Sequence, residues 1–450
     1  MRKETLKMKK NNIIKFVIIY VIFIILFLLL LTLVSSFSSE KIYDNVKESS
    51  EILLNEGNRK IIYIPYRETK MQFDNYTDAL MINTSYSIDS SDSISSAFLA
   101  RKNYIPRVTT KIYEDTAGEL KSSSKYEYHN EVGELNDLVN GEKAESFEYA
   151  RYWHGYLIFL RPLLVLFNLS QIRVILTICL VVLAIVLLYL IYKKLNVVVA
   201  SIFFTGLLGA EYFYLGFSLQ GIFVFLIMMI SSIILILRYE KIKNKEIFFF
   251  IIGILTNFFD FLTVPIVTLL LPLILNFLLI KKYEKDITIK MIFINIIKFS
   301  VIWGIGYGLT WFTKWLLTDL FFDRNMIITA LNQVLYRSKS AEQFNMFHVI
   351  NQNISYLYIP FFISLIFTFT LINVNIKKYK IKNKDFDNEK RLIKILPYVI
   401  ISIIPFIWYI LLQNHSYYHA FFTYRNLMIT NICFNLCIEE FLKNEEYNEK

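Results

Sequence analysis

The sequence predicts an all-α polytopic membrane protein of about ten transmembrane helices, with a large mixed α/β external loop after the first span. Three observations carry this. Apolar residues make up 55% of the 450, Phe alone contributes 39, and the mean hydropathy is +0.44, more than an ordinary soluble domain carries. Apolar runs recur at lengths that cross the hydrocarbon core. The Lys and Arg behind the net charge of +10 sit in short clusters between those runs, the pattern of membrane topology and not of a nucleic-acid surface.

The first run, 13–35, follows the basic stretch MRKETLKMKKNN, so residues 1–35 read as a cytoplasmic N-terminus and an outward-directed anchor. The run is too long for a signal-peptide core and no A-x-A site follows it. Residues 36–154 are mostly polar and read as an extracellular loop domain. The fragment HGYLIFLRPLLVLF, interrupted by Arg161 and Pro162, suits a helix lying in the outer interface. The remainder, 155–450, reads as a multispan domain. Its spans are expected near 172–192, 196–212, 218–238, 247–261, 262–280, 289–315, 354–374, 393–412 and 423–441, with a second external loop at about 318–357. This count places the clusters Lys241/Lys243/Lys245, Lys281/Lys282/Lys285 and Lys377/Lys378/Lys380/Lys382/Lys384 on the cytoplasmic side together with the C-terminus. The three cysteines, Cys179, Cys433 and Cys437, fall in apolar segments, which argues against disulfide or redox chemistry outside the membrane.

Ionisable groups are scarce in the middles of the spans and collect at the external ends. QNHSYYHAFFTYRN brings His415, His419 and Arg425 between two apolar runs; Asp260 stands in TNFFDFLTVP, Glu211 in GAEYFYLG, and His154 and Arg161 open the second membrane segment. Asp78 begins an apolar stretch that Thr77 could cap, expected to be an amphipathic helix resting on the outer leaflet. His129 reads as structural within a strand-like stretch. An ion-coupled transporter needs charged groups near the midplane, whereas an enzyme acting on a lipid-borne substrate needs them at the interface. Arg is the natural ligand for a phosphate, a carboxylate can activate a hydroxyl, and imidazoles can hydrogen-bond phosphate or sugar. His415 and His419 lack the glutamate of HExxH, so no metal site is assigned; the one cofactor considered is a divalent cation near Asp260.

The arrangement of one span, a long first external loop with an acidic residue, many further spans and a late external loop resembles the GT-C superfamily of membrane glycosyltransferases. TDALMIN, YARYWHGYLIFLRPLL, TNFFDFLTVP and NHSYYHAFFTYRN also resemble a group of multispan proteins of low-GC Gram-positive bacteria associated with surface polysaccharide. The GT-C resemblance implies transfer of a sugar from a polyprenyl-phosphate donor to an extracellular glycan or lipid-linked acceptor. Asp78 would be the catalytic base, Asp260 would orient the acceptor, and His154, Arg161, Glu211, His415, His419 and Arg425 would bind substrate. The alternatives are a polysaccharide or lipid flippase, and a non-catalytic assembly partner in cell-envelope biosynthesis. Expected partners are the lipid-linked sugar, membrane lipids and the glycan acceptor, with no nucleic acid.

Overall fold

The computed structural model describes residues 2–58, 61–62, 71–114, 120–127, 131–284, 287–339, 344–375 and 388–443. Lys285, the lysine cluster at 377–384 and His129 lie outside them. The chain starts with α1 (Arg2–Ser35), whose portion Ile13–Ser35 is apolar and long enough to span a membrane.

A mixed lobe follows: α2 (Tyr43–Glu56), β1 (Ile61–Ile62), β2 (Met71–Gln72), α3 (Asn75–Tyr86), α4 (Ser93–Leu99), β3 (Arg101–Tyr104), β4 (Arg107–Glu114), β5 (Leu120–Glu127), α5 (Glu131–Val139) and β6 (Glu145–Glu148). Its strands form three antiparallel pairs, β1–β2, β3–β6 and β4–β5, with Arg101 opposite Glu148 and Arg107 opposite Glu127. The cap of α3 is Asp74, which accepts from the Thr77 amide at 3.3 Å and the Thr77 hydroxyl at 2.8 Å. The expected cap at Thr77 is thereby corrected, because Asp outranks Thr at this position and stands three residues earlier. The expectation of a surface helix is corrected too: Asn75, Asp78, Ala79, Met81, Ile82 and Asn83 are all buried, since α3 is packed against α2 and α5 and against the bundle.

The bundle comprises α6 (Leu157–Leu166), α7 (Leu169–Lys194), α8 (Val197–Gly209), α9 (Leu219–Arg238), α10 (Lys245–Phe259), α11 (Val267–Tyr283), α12 (Ile289–Phe322), α13 (Met326–Ser338), α14 (Met346–Ser355), α15 (Tyr358–Val374), α16 (Asn388–Leu411), α17 (Gln413–Tyr418), α18 (Ala420–Thr423) and α19 (Leu427–Leu442). Among the described residues five helices are long and apolar enough to cross a membrane: Ile13–Ser35, α7, α9, α12 and Arg391–Leu411 within α16. A sixth is counted if α14 and α15, bent by 57°, form one broken span. The structure is that of a helical membrane protein, but the expected ten spans are not all present as full-length helices. α8, at 13 residues, reaches about 20 Å, short of a core about 30 Å thick. α11 is buried on every side from Val267 to Ile280, so its apolar composition serves the centre of the bundle.

Close helix approach is set by glycine where α10 crosses α12. A Cβ on Gly253 would lie 2.2 Å from the Trp303 carbonyl oxygen, and one on Gly306 would lie 2.4 Å from that of Phe250. α1 joins the crossing through Phe27, stacked on Phe258 with centroids 3.7 Å apart. The turns after α8, α10 and α17 meet at one end of the bundle. At the other end Lys281 pairs with Glu440 at 3.1 Å, Lys298 with Glu246 at 2.8 Å and Lys245 with Glu284 at 3.5 Å.

Candidate functional site

The end that gathers those turns holds a small, partly enclosed cleft of about 30 Å³ with a mixed polar and apolar lining. Four parts of the chain wall it: Gln72, Phe73 and Asp74 from the lobe, Ser218 and Gln220 at the start of α9, and Thr263 and Arg425 from two later turns; Phe225, Phe421 and Phe422 supply apolar surface. Phe73 stacks on Phe217 with centroids 5.3 Å apart and rings parallel within 1°, which joins lobe to bundle beside the cleft.

Arg425 is set in place by the irregular path of the fragment that carries it. The helix breaks at His419 between α17 and α18, and a 3₁₀ turn, Tyr424–Asn426, leads into α19. The Asn353 side-chain amide donates to the Ser416 carbonyl at 2.9 Å and its oxygen accepts from the Thr423 hydroxyl at 2.7 Å; the Tyr409 hydroxyl donates to the Thr423 carbonyl at 2.9 Å. The Arg425 Nε donates to the Ala210 carbonyl at 3.0 Å and Nη1 to the Phe421 carbonyl at 3.3 Å. Among the described residues no carboxylate lies within ion-pair distance and Nη2 makes no hydrogen bond. Neutral acceptors therefore hold the guanidinium and leave its positive charge at the cleft. Next to it, Tyr424 donates to the Glu211 carboxylate at 2.7 Å, with Glu211 in the left-handed region at φ 52°.

Asp260, Leu262, His415 and His154 build the turn that presents Thr263. Asp260 accepts from the Thr263 amide at 2.8 Å, the Thr263 hydroxyl at 2.6 Å and the Tyr307 hydroxyl at 3.4 Å, an Asx turn closing the end of α10. Burial pushes its carboxyl up to about 6, against the pull of those donors. Leu262 adopts φ 64°, a strained value for leucine, and its carbonyl is bonded by His415 Nε2 at 2.7 Å. His415 is buried, and burial first, then Arg337 and His419, depress its pKa well below the usual imidazole range, so the ring is neutral. The rings of His415 and His419 lie 4.8 Å apart, and His419 stacks on Phe422. His154 is enclosed by Tyr149, Tyr152, Tyr156 and Phe261, with Nε2 2.7 Å from the Tyr149 carbonyl; burial lowers it to about 3. None of these three histidines lines the cleft, so the expected clamp of imidazoles on a phosphate is not what the structure forms; the rings hold the walls.

Asp78 is near the cleft in the chain yet sealed from it. It receives the Leu219 amide at 2.9 Å and the Arg173 guanidinium at 3.4 Å, while Arg173 also reaches Glu56 at 2.9 Å and Asn75 at 2.9 Å. Burial, the larger influence, pushes the Asp78 carboxyl up to about 7; Arg173 and the Leu219 amide oppose it. Arg161 is buried away from the cleft lining, its Nη2 bonded to the Phe37 carbonyl at 2.8 Å and its guanidinium 4.4 Å from the Phe37 ring; desolvation lowers it to about 10.

Asp74 and Arg173 are the residues that sequence reasoning missed. Asp74 could have been found as the better cap of α3, and Arg173 because an arginine inside an apolar helix needs a partner. Among the described residues no group of three or more His, Cys, Asp or Glu is arranged to hold a metal. No family model, no curated protein and no solved structure matches the chain.

Proposed function

We propose that the cleft binds the phosphate of a lipid-borne, polyprenyl-phosphate-linked sugar and that the protein transfers this sugar to a glycan or lipid-linked acceptor. The observation that carries the reading is Arg425. A guanidinium fixed by two backbone carbonyls, with Nη2 making no hydrogen bond among the described residues and a small cleft beside it, is prepared to receive an anion. The base expected at Asp78 we assign to Asp74, a carboxylate that lines the same cleft while capping α3 through Thr77. Its oxygen takes the proton of an acceptor hydroxyl, the hydroxyl oxygen forms the new bond to the anomeric carbon, and the bond from that carbon to the phosphate oxygen breaks. The departing phosphate keeps that electron pair and its added negative charge develops opposite Arg425, where the cation favours the transition state. Gln72, Ser218, Gln220 and Thr263 offer hydrogen bonds to sugar hydroxyls.

The test is product formation by the full chain in lipid nanodiscs supplied with radiolabelled polyprenyl-phosphate sugars and a glycan acceptor. Arg425→Lys should lower the rate by roughly 10- to 100-fold with folding intact, because an ammonium does not reproduce the fork. Asp74→Asn should lower the rate while leaving donor binding in place. Wild-type rates in both variants would overturn the assignment.

A further inference from the structure

The helix α13 carries an apolar stripe that the protein leaves uncovered. Ile328, Leu331, Val334 and Leu335 form one stripe, and all four are exposed, Ile328 at 62%, Leu331 at 51% and Leu335 at 58%. Met326, Ile327, Ala330, Gln333 and Arg337 form the packed side; Ala330 is buried, the other four are half-buried, and this side packs toward α12 and α17. An apolar stripe left uncovered beside the packed side suits a medium less polar than water.

Where α13 sits points to that medium. α12, at 34 residues, is about 51 Å long, enough to cross a whole bilayer with its head-group layers. An exposed apolar belt runs up it through Val301, Ile305, Leu309 and Phe312 to Leu320 and Phe321, the last two at 69% and 68%. The chain then turns sharply: Asp323 and Asn325 take left-handed conformations at φ 53° and 50°, and the Asp319 carboxylate accepts the amides of Met326 and, at 3.0 Å, Ile327. Arg324 fastens the corner to the lobe with two bonds to Glu148, at 2.8 and 3.2 Å. The lipid-facing belt of α12 thus continues onto the stripe of α13, and Arg337 and Lys339 close its far end with positive charge.

We propose that α13 is an interfacial helix, its Ile328–Leu331–Leu335 stripe seated in the lipid at the border of head groups and acyl chains. This fixes α17, which it packs against, and with it the cleft, at the level of lipid phosphates. The inference rests on the exposure pattern and holds whatever reaction the cleft performs.

Spin-label accessibility of the full chain in nanodiscs of mixed neutral and anionic phospholipid tests it, in a Cys179→Ser, Cys437→Ser background. Nitroxides at Leu331→Cys and Leu335→Cys should be severalfold more accessible to oxygen than those at Thr329→Cys and Asn332→Cys, with the order reversed for a water-soluble nickel chelate. Ile328→Cys, on the same stripe, supplies the reading if either leucine variant fails to accumulate. Equal, water-like exposure at all sites overturns the proposal. Joint protection of the stripe from both reagents, as a second copy or a protein partner would give, overturns it as well.

Discussion

Arg173 and Arg425 stand at the same end of the molecule and have opposite surroundings. Arg173 faces two carboxylates, Glu56 at 2.9 Å and Asp78 at 3.4 Å, so its charge is consumed inside the protein. Arg425 is gripped by the carbonyls of Ala210 and Phe421, which fix its position without neutralising its charge. Hydrogen bonds to carbonyls orient a guanidinium; carboxylates orient and neutralise it. An arginine near a membrane boundary therefore says little until its partners are known. Arg173 ties the lobe to the bundle, and Arg425 stands at the cleft with no carboxylate in ion-pair distance among the described residues.

The largest expected effect is at Arg173. Arg173→Ala leaves Asp78 and Glu56 without their cation and should cost about 3–5 kcal/mol, read as a lower Tm in detergent. Arg425→Ala removes two carbonyl hydrogen bonds and no ion pair, so its cost should be smaller, about 1.5–3 kcal/mol, with anion binding lost. Equal losses in the two variants would break the comparison. Phe217→Ala opens the stack on Phe73 that joins lobe to bundle and should cost about 0.5–1.5 kcal/mol beyond the lost burial, measured by a double-mutant cycle with Phe73→Ala.

A pH-dependent effect concerns a third cation, Lys102, which serves two buried acids: it bonds Glu131 and lies 3.8 Å from Glu134. Burial, with Glu131 beside it, raises the Glu134 carboxyl from 4.5 to about 7. The folded chain then holds a proton that the unfolded chain releases above about 4.5, so stability should fall as pH rises from 4.5 toward 7 and level off beyond. Tm measured across that range should show the slope in the wild type and a flatter profile in Glu134→Gln.

The helical character was legible because apolar composition dictates it: each expected span contains a helix, and five of those helices are long and apolar enough to cross a membrane among the described residues. Their number was not. Whether 196–212 spans depends on where Gly209, Ala210 and Glu211 stop α8, and 262–280 is apolar because α11 is surrounded by other helices, a circumstance that a hydropathy pattern shares with lipid exposure. At the site, the odd placement of Asp260 among phenylalanines was legible, as was the polar character of the fragment 413–426. The partners were not, because they lie far along the chain. Asp78 meets Arg173 and Leu219; His415 meets Leu262, 153 residues away. Sequence locates an ionisable group at the boundary, but only the fold decides whether a neighbour has already claimed it.

The knot at Asp78 has a consequence for biogenesis. Its two fixed partners are both made later than it is: Arg173 lies 95 residues and Leu219 141 residues further on. At translation rates of about 5–20 residues per second, the Asp78 carboxylate waits roughly 5–19 s for the guanidinium and 7–28 s for the amide. Until α7 and α9 have been inserted, α3 has no place to bury that charge, so the lobe completes its folding only after the membrane helices that follow it have been synthesised.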